Sequence, residues 1–256
     1  MYGWMVLGGM TVDDFALAAT TNDLTREADA RGVADLVEFR MDRAEEPIEQ
    51  LAAYDGELPI LATNRNRWFG GKAGDTGRLD TLFAASRFDA VAYVDLELET
   101  VRAKEWILGE FRGNDVELIV SHHDFEATPE DDVLRAIVDE CAGYGDVAKV
   151  ATSPEDLSDT LTLLRVLHEA TEAGIDAAGI AMGPIGSHTR VVGHVYGSTL
   201  GYAPLTDDDS EYAPGQIPLR RLRALVESTR IDGANADRPA ALDGDASVPS
   251  ELTLPN

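Results

Sequence analysis

The chain has 256 residues, of which 44% are hydrophobic, and it carries a formal net charge of −26. This acidic excess argues against nucleic-acid binding and against a basic-patch mode of membrane binding, because both depend on lysine and arginine. Arginine outnumbers lysine by 18 to 3. Because salt screens the mutual repulsion of exposed acidic groups, we interpret this composition as an adaptation to molar salt.

Cysteine, histidine and hydropathy restrict the class of protein further. Cys141 is the single cysteine, which excludes an intramolecular disulfide and a cysteine metal cluster. The five histidines include no H-x-x-x-H helix pair, which argues against a metal site. No run approaches the ~18 apolar residues of a membrane span, and the opening MYGWMVLGGM lacks the basic region of a signal peptide. We therefore expect a soluble, cytoplasmic protein.

Eight short apolar runs predict eight β-strands. They are bounded by polar and glycine-containing segments, as strands buried on both faces of a sheet usually are. In chain order they are WMVL from Trp4, LVEFR from Leu36, PILAT from Pro59, AVAYVD from Ala90, ELIVS from Glu117, VAKVA from Val147, AGIAM from Ala178 and a weaker VYGS from Val195.

Helical patterns lie between these runs. The clearest covers residues 154–173, with Ser153 predicted as its N-cap and Gly174 as its stop signal. Residues 131–141 and 81–87 show similar patterns. The apolar stripe of the clearest helix is predicted at Leu157, Leu161, Leu164 and Leu167.

Alternation of strands and helices predicts a parallel sheet, and eight such units predict a closed (β/α)8 TIM barrel of the α/β class, formed by residues 1–231 as one domain. The alternative is an open doubly wound sheet. Against it, no G-x-G-x-x-G turn follows the first predicted strand. Residues 232–256 are rich in Ala, Asp, Pro and Ser without periodicity, which predicts a disordered acidic tail.

Polar and ionisable residues cluster at the predicted strand ends. In a (β/α)8 barrel the active site lies at the carboxyl ends of the strands. Any one of these residues could be structural; Glu38 and Arg40, for example, could form an ion pair. Their recurrence on successive strands predicts an active site. The candidates are Glu38, Arg40, Thr63, Asn64, Arg65, Asp95, Glu97, residues 121–124, Lys149, residues 182–190 and residues 213–216.

Lys149 is the most informative of these residues because it lies within an apolar run, and burial of a lysine is costly. A structural interpretation is that it reaches solvent at the strand end, or that it pairs inside the barrel with Glu38 or Glu97. The functional interpretation is an amine nucleophile that forms a Schiff base with a ketone. His123, on the neighbouring strand, is then the candidate for proton transfer.

Several motifs occur in a recognisable order: VEFRMD from Val37, TNR from Thr63, VDLE from Val94, SHHDF from Ser121, AKVA from Ala148 and APGQ from Ala213. Together they resemble type I 3-dehydroquinate dehydratases, the Schiff-base class of this shikimate-pathway enzyme. The resemblance extends over most of the chain, from about residue 37 to residue 216.

The resemblance implies an anionic substrate, 3-dehydroquinate, which loses water by syn elimination to give 3-dehydroshikimate. It implies that Lys149 forms the imine at the C3 ketone and that His123 transfers protons. It also implies a homodimer that needs no cofactor, and a bidentate clamp on the substrate carboxylate by Arg190. Tyr202 would add apolar wall beside Met182. The substrate-binding residues implied are Glu38, Arg40, Arg65, Met182, Arg190, Tyr212 and Gln216.

The sequence departs from the family pattern at three positions. Phe69 stands where the family usually has a glutamate that contacts the catalytic histidine, so orientation of His123 would fall to Glu38 or Asp124. Tyr212 stands where serine is common, and its hydroxyl or that of Ser210 would substitute. Thr189 replaces a serine, which is a mild change.

Two further functions are compatible with a strand lysine. Another imine-forming barrel enzyme, such as an aldolase, would share Lys149 but not the H-D-F-x-x-T-P and A-P-G-Q motifs. A barrel that binds the ligand without turning it over would account for Phe69. Detection of ligand binding without product formation would favour the second of these.

Overall fold

The computed structural model describes residues 15–205 and 215–230. Within these ranges eight parallel strands form one sheet, with the neighbour order β7-β6-β5-β4-β3-β2-β1-β8. The strands are β1 Ala16–Thr21, β2 Leu36–Arg40, β3 Ile60–Thr63, β4 Val91–Glu97, β5 Glu117–His123, β6 Val147–Thr152, β7 Ala177–Ala181 and β8 Leu200–Pro204.

The sheet curls into a nearly closed barrel. β7 and β8 meet through a parallel bridge between Ala177 and Ser198, and the backbone N–H of Thr199 donates to the Ala177 carbonyl at 2.8 Å. The expected (β/α)8 TIM barrel is therefore confirmed, and the open doubly wound sheet is excluded.

Helices follow the strands and cover the outside of the barrel. None of the helices within the described ranges is long and apolar enough to cross a bilayer. Short 3-10 helices follow β1, β2, β3 and α8. The α-helices are α1 Pro47–Ala52, α2 Arg78–Ala85, α3 Leu98–Ala103, α4 Ile107–Arg112, α5 Asp131–Tyr144, α6 Leu157–Glu172, α7 Gly183–Gly186, α8 Thr189–Val192 and α9 Leu219–Thr229.

The first and last strands differ from the sequence prediction. The apolar run from Trp4 lies outside the described residues, and β1 is instead the small-residue segment ALAATT. The run from Val195 is wrong as a strand: Gly193–Tyr196 is a 3-10 helix, which ends at Gly197 with φ 94°. Such a backbone conformation favours glycine and stops a helix, so β8 begins only at Leu200.

Helix α6 starts later than predicted and buries a different face. Asp156, not Ser153, caps it, because the Asp156 side chain accepts from the backbone N–H of Ser158 at 2.7 Å. Leu157 and Leu161 are 64% and 63% exposed, so the predicted stripe is wrong at these two positions. The residues of α6 that are buried against the barrel are Thr160, Leu163, Leu164, Val166, Leu167 and Ala170.

The core has two layers. An outer layer packs the helices on the sheet, with fully buried side chains such as Phe39, Leu96 and Leu118. An inner layer fills the barrel from Leu36, Ile119 and their neighbours. Polar side chains are placed above this inner layer, at the carboxyl ends of the strands. The predicted tail, residues 232–256, lies outside the described residues, and its disorder stays a prediction.

Candidate active site

A cavity opens at the carboxyl ends of the strands. It collects the predicted site residues from six strands and the loops that follow them. Tyr212 and Ser210 lie outside the described residues. The residues that line the cavity are Glu38, Arg40, Arg65, Phe69, Gly70, His123, Phe125, Lys149, Ala151, Ile180, Met182, Arg190, Tyr202 and Gln216.

Lys149 is placed at the base of this cavity by β6 and is only 4% exposed. Its Nζ lies 3.1 Å from Oδ2 of Asp95 and 3.9 Å from the ring centroid of Tyr202. The structural interpretation that paired it with Glu38 or Glu97 is wrong. Glu38 accepts hydrogen bonds from the hydroxyls of Thr20 at 2.7 Å and Thr63 at 3.2 Å.

Glu97 is engaged by other groups. Its carboxylate accepts from Nη1 of Arg78 at 2.9 Å and from the backbone N–H of Asn66 at 3.2 Å. These bonds tie the loop after β3 to the end of β4. Glu97 therefore supports the loop that carries Arg65 and Phe69.

Asp95 is the partner of Lys149 that sequence reasoning did not assign. Its carboxylate also accepts from Nη2 of Arg65 at 2.7 Å and from Oγ of Ser121 at 2.6 Å. Burial alone would raise the pKa of Asp95, but the charges of Arg65 and Lys149 outweigh burial and hold that pKa well below its usual range. An ionised carboxylate thus lies directly beside the amine. Its position in the VDLE run was the only signal in the sequence.

His123 ends β5 on the same side of the sheet. Burial, together with the positive charges of Arg65 and Lys149, lowers the pKa of His123 well below 6.5. At neutral pH its imidazole is therefore neutral and able to accept a proton. His122 points to the opposite face, as strand alternation predicts, and its Nδ1 lies 2.7 Å from Oε1 of Glu99.

Three arginines contribute positive charge to the cavity. Arg40 forms a bidentate pair with Asp42, with both N···O distances at 2.8 Å. Arg65 is engaged by Asp95 and Ser121. Arg190, from α8, is buried, and burial lowers its pKa to about 10. Within a chain of net charge −26, this local concentration of guanidinium groups favours an anionic ligand.

A metal centre has no counterpart in this cavity. In residues 15–205 and 215–230, no group of three or more histidine, cysteine, aspartate or glutamate side chains is arranged to hold a metal ion. The described residues place an amine, a neutral imidazole and an ionised carboxylate at the carboxyl ends of three adjacent strands, β4 to β6. The amine and the carboxylate are buried, and the imidazole is half-buried.

Comparison with known proteins identifies the family. The family model described as type I 3-dehydroquinase matches residues 17–232. The chain belongs to this family. It is 45% identical over 224 residues to the 3-dehydroquinate dehydratase of Halobacterium salinarum, covering 85% of this chain and 98% of that protein. It is 43% identical over 229 residues to the enzyme of the same name from Haloarcula marismortui, covering 87% and 100%.

Solved structures agree with this assignment. The crystal structure of the 3-dehydroquinate dehydratase from Geobacillus kaustophilus is 30% identical in sequence and superposes with a TM-score of 0.74, covering 84% of this chain and 91% of that one. The two relatives named above come from haloarchaea, in keeping with the acidic, lysine-poor composition.

Phe69, where a glutamate was expected from the family resemblance, lies on the cavity wall. Neither Glu38 nor Asp124, the two carboxylates expected to orient His123, forms a hydrogen bond with it. Glu38 is occupied by two threonine hydroxyls, and Oδ1 of Asp124 accepts from the backbone N–H groups of Glu126 and Ala127, both at 2.9 Å. The expectation that either one orients His123 is therefore wrong.

Proposed function

We propose that this chain is a hydro-lyase of the shikimate pathway that converts 3-dehydroquinate to 3-dehydroshikimate and water through a Schiff base on Lys149. The observation that carries the proposal is the buried amine of Lys149, which lies beside an ionised Asp95 and shares a cavity with the neutral imidazole of His123. Membership of the type I family supports the substrate and the reaction.

In the first step, Lys149 gives a proton to the neutral imidazole of His123, and the amine so formed adds to the C3 ketone of the substrate. His123 then returns that proton as the hydroxyl of the adduct leaves as water, which gives a protonated imine. The iminium nitrogen keeps a positive charge in the position of Nζ. Asp95 lies 3.1 Å from that position and stays ionised, so it stabilises this charge without rearrangement.

In the second step, His123 removes the proton from C2, and the iminium accepts the electron pair as an enamine. The protonated imidazole then gives its proton to the C1 hydroxyl, which leaves as water. One group thus serves both halves of the elimination, which requires the proton and the hydroxyl to leave from the same face. Water finally hydrolyses the imine and restores Lys149.

The remaining cavity residues are proposed to bind the substrate. Arg190 holds its carboxylate, since a planar guanidinium fits a carboxylate with two parallel bonds. Met182 and the ring of Tyr202 provide apolar wall. Arg65 acts mainly through Asp95, because two of its nitrogens already donate to Asp95 and Ser121. Contacts with the substrate hydroxyls and ring are proposed for Glu38, Arg40, Arg65, Tyr212 and Gln216.

Borohydride trapping tests this proposal directly. The protein is mixed with 3-dehydroquinate in molar salt, reduced with borohydride, and analysed by intact mass and peptide mapping. We expect a ligand adduct on the peptide that contains Lys149. A folded protein that yields product without any adduct would refute the imine. An adduct without product would favour a barrel that binds the ligand but does not turn it over.

Activity is expected to rise with salt. In dilute buffer the exposed acidic residues repel both one another and the anionic substrate, whereas at 1 M salt the Debye length falls to ~3 Å and these distant charges are screened. The buried Arg190 and Arg65 stay effective because close, desolvated charges are screened much less. Measurement of kcat/KM and of thermal unfolding from 0.1 to 3 M KCl checks this. A rate that is highest in dilute buffer would contradict it.

We also propose a cytoplasmic homodimer, as the biosynthetic pathway and the family resemblance suggest. Leu157 and Leu161 support the dimer, because they lie one turn apart on α6 and are both more than half exposed, which is typical of a surface that a partner covers. Light scattering in molar salt, with Leu157→Glu as the variant expected to favour the monomer, tests the oligomeric state.

A further inference from the structure

The imidazole of His123 lacks a polar anchor. Among the described residues no hydrogen-bond partner reaches its Nδ1, although that atom is buried. A proton-transfer group normally needs a neighbour that fixes its orientation, because small misplacements of a reacting group cost much of its effect. The orientation of His123 must therefore come from packing rather than from a carboxylate.

Packing is provided by Phe125, two residues further along the chain. The ring centroids of His123 and Phe125 are 6.0 Å apart, and the planes are inclined by only 16°. This is an offset-stacked arrangement within the usual range for aromatic pairs. Phe125 is nevertheless 48% exposed.

The loop that follows β3 packs against the ring of Phe125. Gly70 has φ 79°, and a Cβ atom added to it would lie 2.8 Å from Cζ of Phe125. Glycine at this position allows the backbone to approach the ring closely, and the left-handed φ also favours glycine. Phe69, immediately before it, lines the same cavity. Gly70 thus supports the ring of Phe125, and that ring lies beside the imidazole of His123.

We infer that Phe125, seated against Gly70, is the positioning residue for His123: its ring fixes the imidazole plane and shields the imidazole from water. This inference rests on the proposed function, because it assigns how the proton-transfer group of that reaction is oriented. It also explains how a chain with Phe69 near the histidine can operate without a carboxylate there.

The electrostatic surroundings of His123 are compatible with this role. The groups that act on it are Arg65 from the loop after β3, Asp95 from β4, His122 from its own strand and Lys149 from β6. Three of them disfavour the imidazolium and only Asp95 favours it. Burial is the largest cause of the lowered pKa, and Phe125 covers one face of the ring. Loss of the Phe125 ring should therefore raise the pKa of His123 toward 6.5.

The test compares Phe125→Leu with Phe125→Tyr in the full chain in molar salt. For Phe125→Leu we expect kcat to fall by about 10- to 100-fold, KM to change little, and the acid limb of the pH–rate profile to move to higher pH. Phe125→Tyr retains the ring and should recover most of the kcat that Phe125→Leu loses. Gly70→Ala, which displaces the ring without removing it, should reproduce the direction of the Phe125→Leu effects.

A readout independent of turnover separates this inference from the proposed function. NMR titration of 13C-labelled imidazoles, with the His123 signal assigned by its loss in His123→Asn, should show a higher pKa in Phe125→Leu than in wild type. Trp106→Leu, which removes an exposed aromatic ring that does not line the cavity, is the matched control. Unchanged pKa and unchanged kcat in both Phe125→Leu and Gly70→Ala would overturn the inference, whereas a wild type that forms no product would instead overturn the proposed function.

Discussion

Replacement of Lys149 by methionine should abolish the borohydride-trapped adduct and lower kcat on the order of 10⁴-fold or more, as expected when the nucleophile of a covalent mechanism is removed. Methionine has a similar length and suits an interior position, so it fills the space against the ring of Tyr202. Asp95 keeps Arg65 and Ser121 as partners in the variant. The variant should therefore fold, and its inactivity would be chemical.

Intact mass after reduction and a steady-state assay measure these two effects on the same sample. Lys104→Met is the matched control, because Lys104 is exposed and the substitution removes the same charge. Retention of more than a tenth of wild-type kcat by folded Lys149→Met would return Lys149 to a structural role. The barrel would then need a different chemistry.

Replacement of Asp95 by asparagine should have the largest effect on stability. Asp95 is the shared anion of Arg65 and Lys149, and all three side chains are at least 95% buried. Without that charge two cations remain close together in the interior. Removal of one member of a buried charge pair costs about 3–5 kcal/mol of unfolding free energy. In whatever fraction folds, we also expect kcat/KM to fall about 10²- to 10³-fold, since one preorganised charge at the iminium is lost.

Denaturant unfolding at pH 7 in molar salt measures the first effect, and Asp139→Asn, an exposed position on α5, is the control for loss of one negative charge. The contribution of Asp95 to the free energy of unfolding decreases as the pH falls. Because the pKa of Asp95 is lowered on folding, its contribution is complete above the ordinary aspartate pKa of about 4 and is lost as pH falls through the lowered value. A variant as stable as wild type at pH 7 would contradict this assignment.

Most of the barrel could be predicted because its strands are buried on both faces. The runs that begin at Leu36, Glu117 and Val147 coincide with β2, β5 and β6 at their first residues. β1 escaped detection because ALAATT consists of small and hydroxyl residues, which give weak apolar periodicity. Its faces are buried by the surrounding structure: Leu17 and Ala19 lie in one core cluster with residues of α9, and Ala18 lies in the inner core of the barrel.

Helix α6 shows why amphipathic patterns can be misread. Residues 157, 161, 164 and 167 share a helical face by spacing alone, but the buried arc is set by where the helix lies on β6 and β7. Leu157 and Leu161 fall outside that arc and are exposed, whereas Leu163 and Val166 fall within it. The apolar periodicity predicts that a helix is present. Its packing on the sheet determines which face of the helix is buried.

The sequence by itself determined the class of chemistry. A lysine in an apolar strand and a histidine at the end of the neighbouring strand are properties of local pattern, and they favour an imine-forming site. The anionic substrate followed from the resemblance to the family. The order of the motifs supplied the family. None of these conclusions required a contact between distant residues.

Only the tertiary structure decided which groups meet. Asp95 and Lys149 are 54 residues apart and lie on β4 and β6, which flank β5, so their contact depends on the curvature of the barrel. The stack of Phe125 on His123, and the approach of Gly70 to Phe125, likewise depend on how two loops meet above the sheet. The sequence pattern indicates on which face of a strand a side chain lies. The distance between side chains on different strands is set by the strand register and by closure of the barrel.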